Sequence, residues 1–256
     1  MSTEHRSQKH PASPHAQRSG STATPEKLVL FDIDGTLLNM GPINRHVLIE
    51  ALEAVYGTAG DAATCSFAGR MDNAIIHDIL RETGLHEQEI AERFEQAKAT
   101  YILYLQQQST PHDVTLLTGI RELLEQLSAD SRLFLGLLTG NFEESGWFKL
   151  RLPGIEHYFR FGAFAEDGSI RNDLPPVAIE KASRLCGKLF HPSDVVIIGD
   201  TGHDIRCAQA IHARSIAIAT GTVSRQELQQ YQPDVLLDDL ARIDLVIDRI
   251  MNSQNS

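Results

Sequence analysis

Two aspartates, two residues apart, close the run Lys27-Leu28-Val29-Leu30-Phe31-Asp32-Ile33-Asp34-Gly35-Thr36. At strand spacing, residues i and i+2 point the same way, so Asp32 and Asp34 address one small volume. Two carboxylates held together need a cation or a shared proton to offset their repulsion. The four apolar residues before them have the length and composition of a strand buried inside a parallel sheet. Open parallel sheets bind ligands at the carboxyl ends of their strands. An acidic turn would account for Asp-Gly alone. Asp-x-Asp-Gly-Thr is more demanding, matching by chance in roughly one such chain in several hundred, and it favours a site. Two more apolar runs end in groups able to do chemistry, Leu133–Leu138 at Thr139 and Val195–Ile198 at Asp200. Arg171–Pro176 supplies a fourth candidate group.

These residues require elements to carry them to one rim. From residue 112 onward strands and helices alternate, which predicts an α/β fold with a doubly wound, Rossmann-like parallel sheet. Thr118 is expected to cap a helix through about Ala129. Pro175-Pro176 opens a helix carrying Ile179, Ala182 and Leu185. A helix over 203–213 precedes a strand at 215–219. Ser224 and Glu227 form a capping box, and 235–237 and 239–251 are the last strand and helix. Aromatic residues at 158, 159, 161 and 164 read as core packing.

Between the first strand and this alternation lie three helices with no strand among them. The first follows Gly41-Pro42 and ends at Gly57. The second is capped by Asp72 and ends near Gly84, and the third runs from about Glu87 to Gln107. They read as an insertion bounded by loops near 38–41 and 109–113. Residues 2–26 contain no Val, Ile, Leu or Phe, too little apolar surface to offset the entropy of ordering, so this tail is expected to be disordered. His5, His10 and His15 recur within it, and a solvated arm is the simpler account than a metal-binding one.

The 256-residue chain carries a formal charge of −11 and 42% hydrophobic residues. That balance disfavours a nucleic-acid surface, which would show a basic stripe. It also means that an anionic substrate must be held by local cations or a metal. Cys65, Cys186 and Cys207 are scattered and unpaired in spacing, which suits buried thiols in a reducing compartment. No run has the ~18 apolar residues of a membrane span, and no signal-peptide pattern opens the chain. The expectation is a cytoplasmic protein that binds neither membrane nor nucleic acid.

Taken together the motifs resemble the haloacid dehalogenase superfamily in its phosphatase branch, nearest to phosphoglycolate-phosphatase-like proteins. Asp32-Ile33-Asp34-Gly35-Thr36 is similar to the first motif and Leu137-Leu138-Thr139-Gly140-Asn141 to the second. Arg171–Pro176 stands where the third, basic motif would fall, and Gly199-Asp200-Thr201-Gly202-His203-Asp204 is similar to the fourth. The resemblance implies a core domain of 27–40 and 112–252, a helical cap domain of 41–111 inserted after the first strand, and a tail of 1–26.

It also implies roles that suit the chemistry. Asp32 would be the nucleophile and Asp34 the acid and base. Asp32, the main-chain carbonyl of Asp34, and Asp200 would hold Mg²⁺. Thr139 would donate to phosphate, with Gly35, Thr36, Gly140 and Asn141 as further substrate contacts. Arg171 stands where the family usually has lysine, with Lys181 as its rival. Asp204 would orient the basic group or a metal-bound water, or simply favour the helix start. His203 is expected on a helix surface. Arg70 would meet a second anionic group on the substrate, or pair with Asp72 in solvent.

The implied function is Mg²⁺-dependent hydrolysis of a small phosphorylated metabolite. Phosphoryl transfer within a sugar phosphate is one alternative, and a catalytically weakened binding or regulatory protein is another. Carbon–halogen hydrolysis is disfavoured, because it has no use for an acid at position 34.

Overall fold

The structure, a computed structural model, describes residues 24–252. In chain order the elements are β1 (Lys27–Phe31), β2 (Leu38–Asn39), α1 (Ile43–Tyr56), α2 (Asp72–Glu82), α3 (Glu87–Gln108), β3 (Thr115–Leu116), α4 (Ile120–Ala129), β4 (Leu133–Leu138), α5 (Glu143–Arg151), β5 (Gly162–Ala163), α6 (Leu174–Cys186), β6 (Val195–Gly199), α7 (Gly202–Ala210), β7 (Arg214–Ile218), α8 (Arg225–Gln230), β8 (Val235–Leu237) and α9 (Ile243–Met251). The expected tail lies outside the described residues as far as residue 23, as do His5, His10 and His15. Pro25 and Glu26 are placed, with their carbonyls accepting from Lys188 Nζ at 2.7 and 3.1 Å.

Six strands form one parallel sheet in the order β5-β4-β1-β6-β7-β8. β1 is central, and Leu28 through Phe31 are fully buried, as their unbroken apolar run requires. The chain leaves β1 towards β4 and β5, then returns to place β6 on the opposite side. This reversal of winding creates the crevice in which such sheets bind ligands. Register brings Phe31 beside Leu137 and Ile198, so the residues following β1, β4 and β6 emerge on one rim. Helices α6 and α7 flank the sheet as one pair and α4 and α9 as another.

The three helices of the insertion lie between β2 and β3. These two short strands pair antiparallel, Leu38 with Leu116 and Asn39 with Thr115, and so close the base of the insertion. Two-residue strands carry too little pattern to be read from sequence. Within the insertion, α1 lies along α3, and both bury an apolar stripe that includes Val47, Ala51, Ile90, Ala97 and Leu105.

Two expected caps differ. Gly119, not Thr118, precedes α4, with a φ of +80° that glycine adopts without strain. Asp72 is the first residue of α2 and makes no cap. Its Oδ2 instead accepts the Phe142 N–H of the core at 2.9 Å. The helices expected over 203–213 and 239–251 are shorter, and the Ser224–Glu227 box is present.

Candidate active site

Asp32 follows the buried end of β1, Thr139 the end of β4, and Asp200 the end of β6. All three line one cavity of about 650 Å³ between the sheet rim and the insertion, together with Asp34, Asn141, Lys149 and Arg171. Asp32, Asp200 and Asp204 are buried, and each offers a carboxylate oxygen within 4.8 Å of the others.

Burial lifts the Asp32 carboxyl to about 6, with Asp204 and Asp34 adding to the rise against the pull of Arg171. Burial also raises Asp200 well above the ordinary carboxylate range, helped by Asp32 and Asp204. Arg171, itself buried, places one guanidinium nitrogen 3.1 Å from Asp32 Oδ1 and 2.6 Å from Asp204 Oδ1. Its other terminal nitrogen donates to Gly69 O of the insertion at 3.0 Å. A planar fork suits this division between two carboxylates and a carbonyl. Lys181 sits elsewhere, on Asp167 Oδ2 at 2.6 Å and Gly162 O at 2.9 Å. Of the two rivals, only Arg171 reaches the acidic cluster.

Asp34 turns away from that cluster. Its Oδ2 accepts from Lys149 Nζ at 2.7 Å and from Asn141 Nδ2 at 2.8 Å. Lys149 Nζ also donates to Asn141 Oδ1 at 2.6 Å, and Asn141 Nδ2 to Thr139 Oγ1 at 2.7 Å. The Lys149 side chain is only 1% exposed against 40% for Asp34, so the ammonium is the fixed member of the pair. Sequence reasoning missed Lys149. The signal was the spacing of four in Asn141, Ser145 and Lys149, a buried polar series that begins just before α5 and continues along it.

Several expected contacts are placed differently. Thr36 is fully buried, and its hydroxyl donates to Asp200 Oδ1 at 3.1 Å, so it holds an acid and does not face the cavity as a substrate contact. The Gly35 N–H is spent on Leu38 O at 2.9 Å, so it is not an available donor. What Gly35 provides is room: a Cβ there would lie 2.4 Å from Asp200 Oδ2. Gly140 likewise lets the insertion approach, since a Cβ would meet Arg70 O at 2.1 Å. The Gly140 carbonyl accepts the Asp72 N–H at 2.7 Å.

Arg70 lines the cavity, but its guanidinium pairs with Asp78, not with Asp72. His203 is half-buried on α7 rather than exposed, because the insertion loop at Gly69 covers it. Cys207 is buried as expected, whereas Cys65 is half-buried and faces the cavity.

The donor set fits a hard divalent cation. Asp32 and Asp200 offer carboxylate oxygens, and one buried arginine cannot neutralise three buried acids. Asp204 is the least available of the three. Its Oδ1 takes Arg171, and its Oδ2 takes the Thr201 N–H at 3.0 Å and hydroxyl at 2.7 Å. The Asp34 carboxylate is absent from the cluster, which leaves only its main chain for the metal role expected of it.

Residues 29–218 match the family model of haloacid dehalogenase-like hydrolases. The chain belongs to that family. It is 27% identical over 225 residues to a phosphoglycolate phosphatase of Pectobacterium atrosepticum, covering 83% of this chain and 88% of the relative. It is 25% identical to the pyrophosphatase PpaX of Bacillus pumilus, covering 83% and 92%. Among solved structures, a hydrolase from Pseudomonas syringae shares the fold with a TM-score of 0.62 at 22% identity, over 89% of this chain and all of that one. A haloacid dehalogenase-like family protein from Streptococcus pneumoniae does so with a TM-score of 0.59 at 21% identity, over 88% and 99%. Among the described residues, no helix is long and apolar enough to cross a membrane.

Proposed function

We propose that this chain is a phosphatase for a small phosphomonoester, using Mg²⁺ and a covalent intermediate on Asp32. The observation that carries the reading is the gathering of Asp32, Asp34, Thr139, Arg171 and Asp200 around one cavity from separate strand ends and loops. Relatives named for phosphoglycolate and pyrophosphate hydrolysis support the reaction class.

Asp32 Oδ attacks phosphorus in line, and the ester P–O bond breaks as the new one forms. Asp34 protonates the leaving oxygen, then accepts a proton from the water that hydrolyses the aspartyl-phosphate. The Asp34 oxygen away from Lys149 and Asn141 is the one free to carry that proton. Thr139 Oγ1 already accepts from Asn141, so its own hydrogen remains for a phosphate oxygen. Arg171 supplies charge beside Asp32, and its Nε is buried without a partner among the described residues, which suits a donor awaiting an anionic acceptor. Asp32, the Asp34 main-chain carbonyl and Asp200 would hold Mg²⁺, which supplies charge to offset the approach of carboxylate to phosphate dianion.

The insertion, acting as a cap, would exclude stray water from the first step. The test is phosphate release from a panel of esters with and without Mg²⁺. Wild-type chain should be active only with the ion, and Asp32→Asn should lose at least about a thousandfold in kcat while remaining folded. Full activity in that variant would overturn the assignment.

A further inference from the structure

The cavity wall formed by the insertion carries a cation that the mechanism above does not use. Arg45, in the first turn of α1, lines the cavity and is half-buried. Its guanidinium carbon lies over the Phe67 ring, 4.0 Å from the centroid, and one nitrogen donates to Ala62 O. Among the described residues no carboxylate lies within ion-pair distance of it, and the first turn of α1 holds no acidic side chain. The other cavity-lining cations are taken: Arg70 by Asp78, Lys149 by Asp34, Arg171 by Asp32 and Asp204. An arginine fixed by stacking and one carbonyl still has most of its five N–H donors to offer.

Asn44 stands beside it on the same wall. The Tyr101 hydroxyl donates to Asn44 Oδ1 at 2.8 Å, which assigns the oxygen and leaves the amide N–H₂ as a donor. Ser66 Oγ, also on the wall, accepts the Ala68 N–H at 3.4 Å and keeps its hydrogen to give. This wall therefore presents donors and one unneutralised positive charge, in the same cavity that binds phosphate in the reading above.

We infer that Arg45, with Asn44, forms a second anion subsite, and that the substrate is a short phosphomonoester bearing another anionic group, a carboxylate or a second phosphate, at its far end. This inference rests on the phosphatase reading for the placement of the first phosphate. It replaces Arg70, whose charge is already paired, as the residue that would select such a substrate. Arg45 is a specificity-determining residue here, touching no reacting atom. A guanidinium favours either anion through paired N–H donors, so the two chemistries are separated by experiment.

The test compares 2-phosphoglycolate, 1,2-ethanediol bisphosphate and the analogue without a distal charge, 2-hydroxyethyl phosphate, in wild type, Arg45→Gln and Arg45→Lys. Steady-state kinetics are run with Mg²⁺, and equilibrium binding is measured by calorimetry without it. The wild-type KM for one anionic compound should be at least about tenfold below that for 2-hydroxyethyl phosphate. Arg45→Gln should remove most of that ratio through KM and not kcat, and Arg45→Lys should restore part of it.

The anionic compound with the larger Arg45-dependent ratio identifies the distal group. Equal KM values regardless of distal charge, or an equal loss for charged and uncharged esters in Arg45→Gln, would overturn the subsite and leave the phosphatase reading intact. If no compound is hydrolysed, the phosphatase reading fails. Binding then decides the subsite: charge-selective affinity lost in Arg45→Gln supports it, and its absence sinks it.

Discussion

Lys149 Nζ lies 2.7 Å from Asp34 Oδ2, and the ammonium is sealed from solvent while the carboxylate is not. The acid expected to move protons is therefore anchored from behind by a buried charge on α5. Removing that charge leaves Asp34 free to hydrate and rotate, since its side chain is 40% exposed. Lys149→Met should therefore lower kcat by about a hundredfold, the scale of one positioned acid–base group. Substrate KM should change little. Phosphate-release kinetics beside a thermal melt would check this. An unaltered kcat would show that Asp34 needs no such anchor.

Arg171 spans Asp32, Asp204 and the Gly69 carbonyl. A lysine at this position keeps the charge but not the planar fork. Arg171→Lys is expected to lower kcat by about tenfold or more, and also to loosen the Gly69 loop. Limited proteolysis within residues 64–71 should then become faster. Wild-type kinetics together with wild-type proteolysis would contradict this.

Metal binding has a readout that needs no substrate. A ligand at about a hundred times its Kd stabilises the folded state by ~2.7 kcal/mol. For a chain of this size that raises Tm by roughly 5 °C or more. Mg²⁺ should produce such a rise at neutral pH, and Asp200→Asn should abolish most of it. Differential scanning calorimetry with and without chelator would decide, and an unshifted Tm in wild type would count against the ion.

Burial lifts the half-buried Asp72 carboxyl to about 6 despite Lys149 and the Phe142 N–H, which pull it down. The folded chain then holds a proton that the unfolded chain has released between about pH 4 and pH 6. The stability Asp72 contributes is present below that window and is lost as pH rises through it. Asp72→Asn keeps an oxygen for the Phe142 N–H but carries no charge. Relative to wild type, the variant should gain thermal stability on going from pH 4.5 to pH 7. Melting both proteins at the two pH values checks the sign, and a gap that does not move would refute it.

Much of this was legible because burial writes itself into sequence. β1, β4 and β6 are apolar runs cut short by Asp32, Thr139 and Asp200, so both the strands and their functional ends could be read. What could not be read was pairing across long stretches of chain. Arg70 finds Asp78 and Arg45 finds no carboxylate among the described residues, a difference that composition cannot show. Lys149 was not singled out, because nothing local among Trp147, Phe148 and Leu150 says that α5 turns it inward. Thr36 was misread for the opposite reason, since its place in the motif suggested the cavity while folding gave it to Asp200 instead.

The chain enters β1 at Lys27 and reaches Asp32 only after running the full length of that strand, on the order of 16 Å at ~3.3 Å per residue. Pro25 and Glu26 are tied down at the entry edge by Lys188. A purification handle or fluorescent partner joined directly to Thr24, in place of residues 1–23, would therefore be attached at the end of β1 away from Asp32.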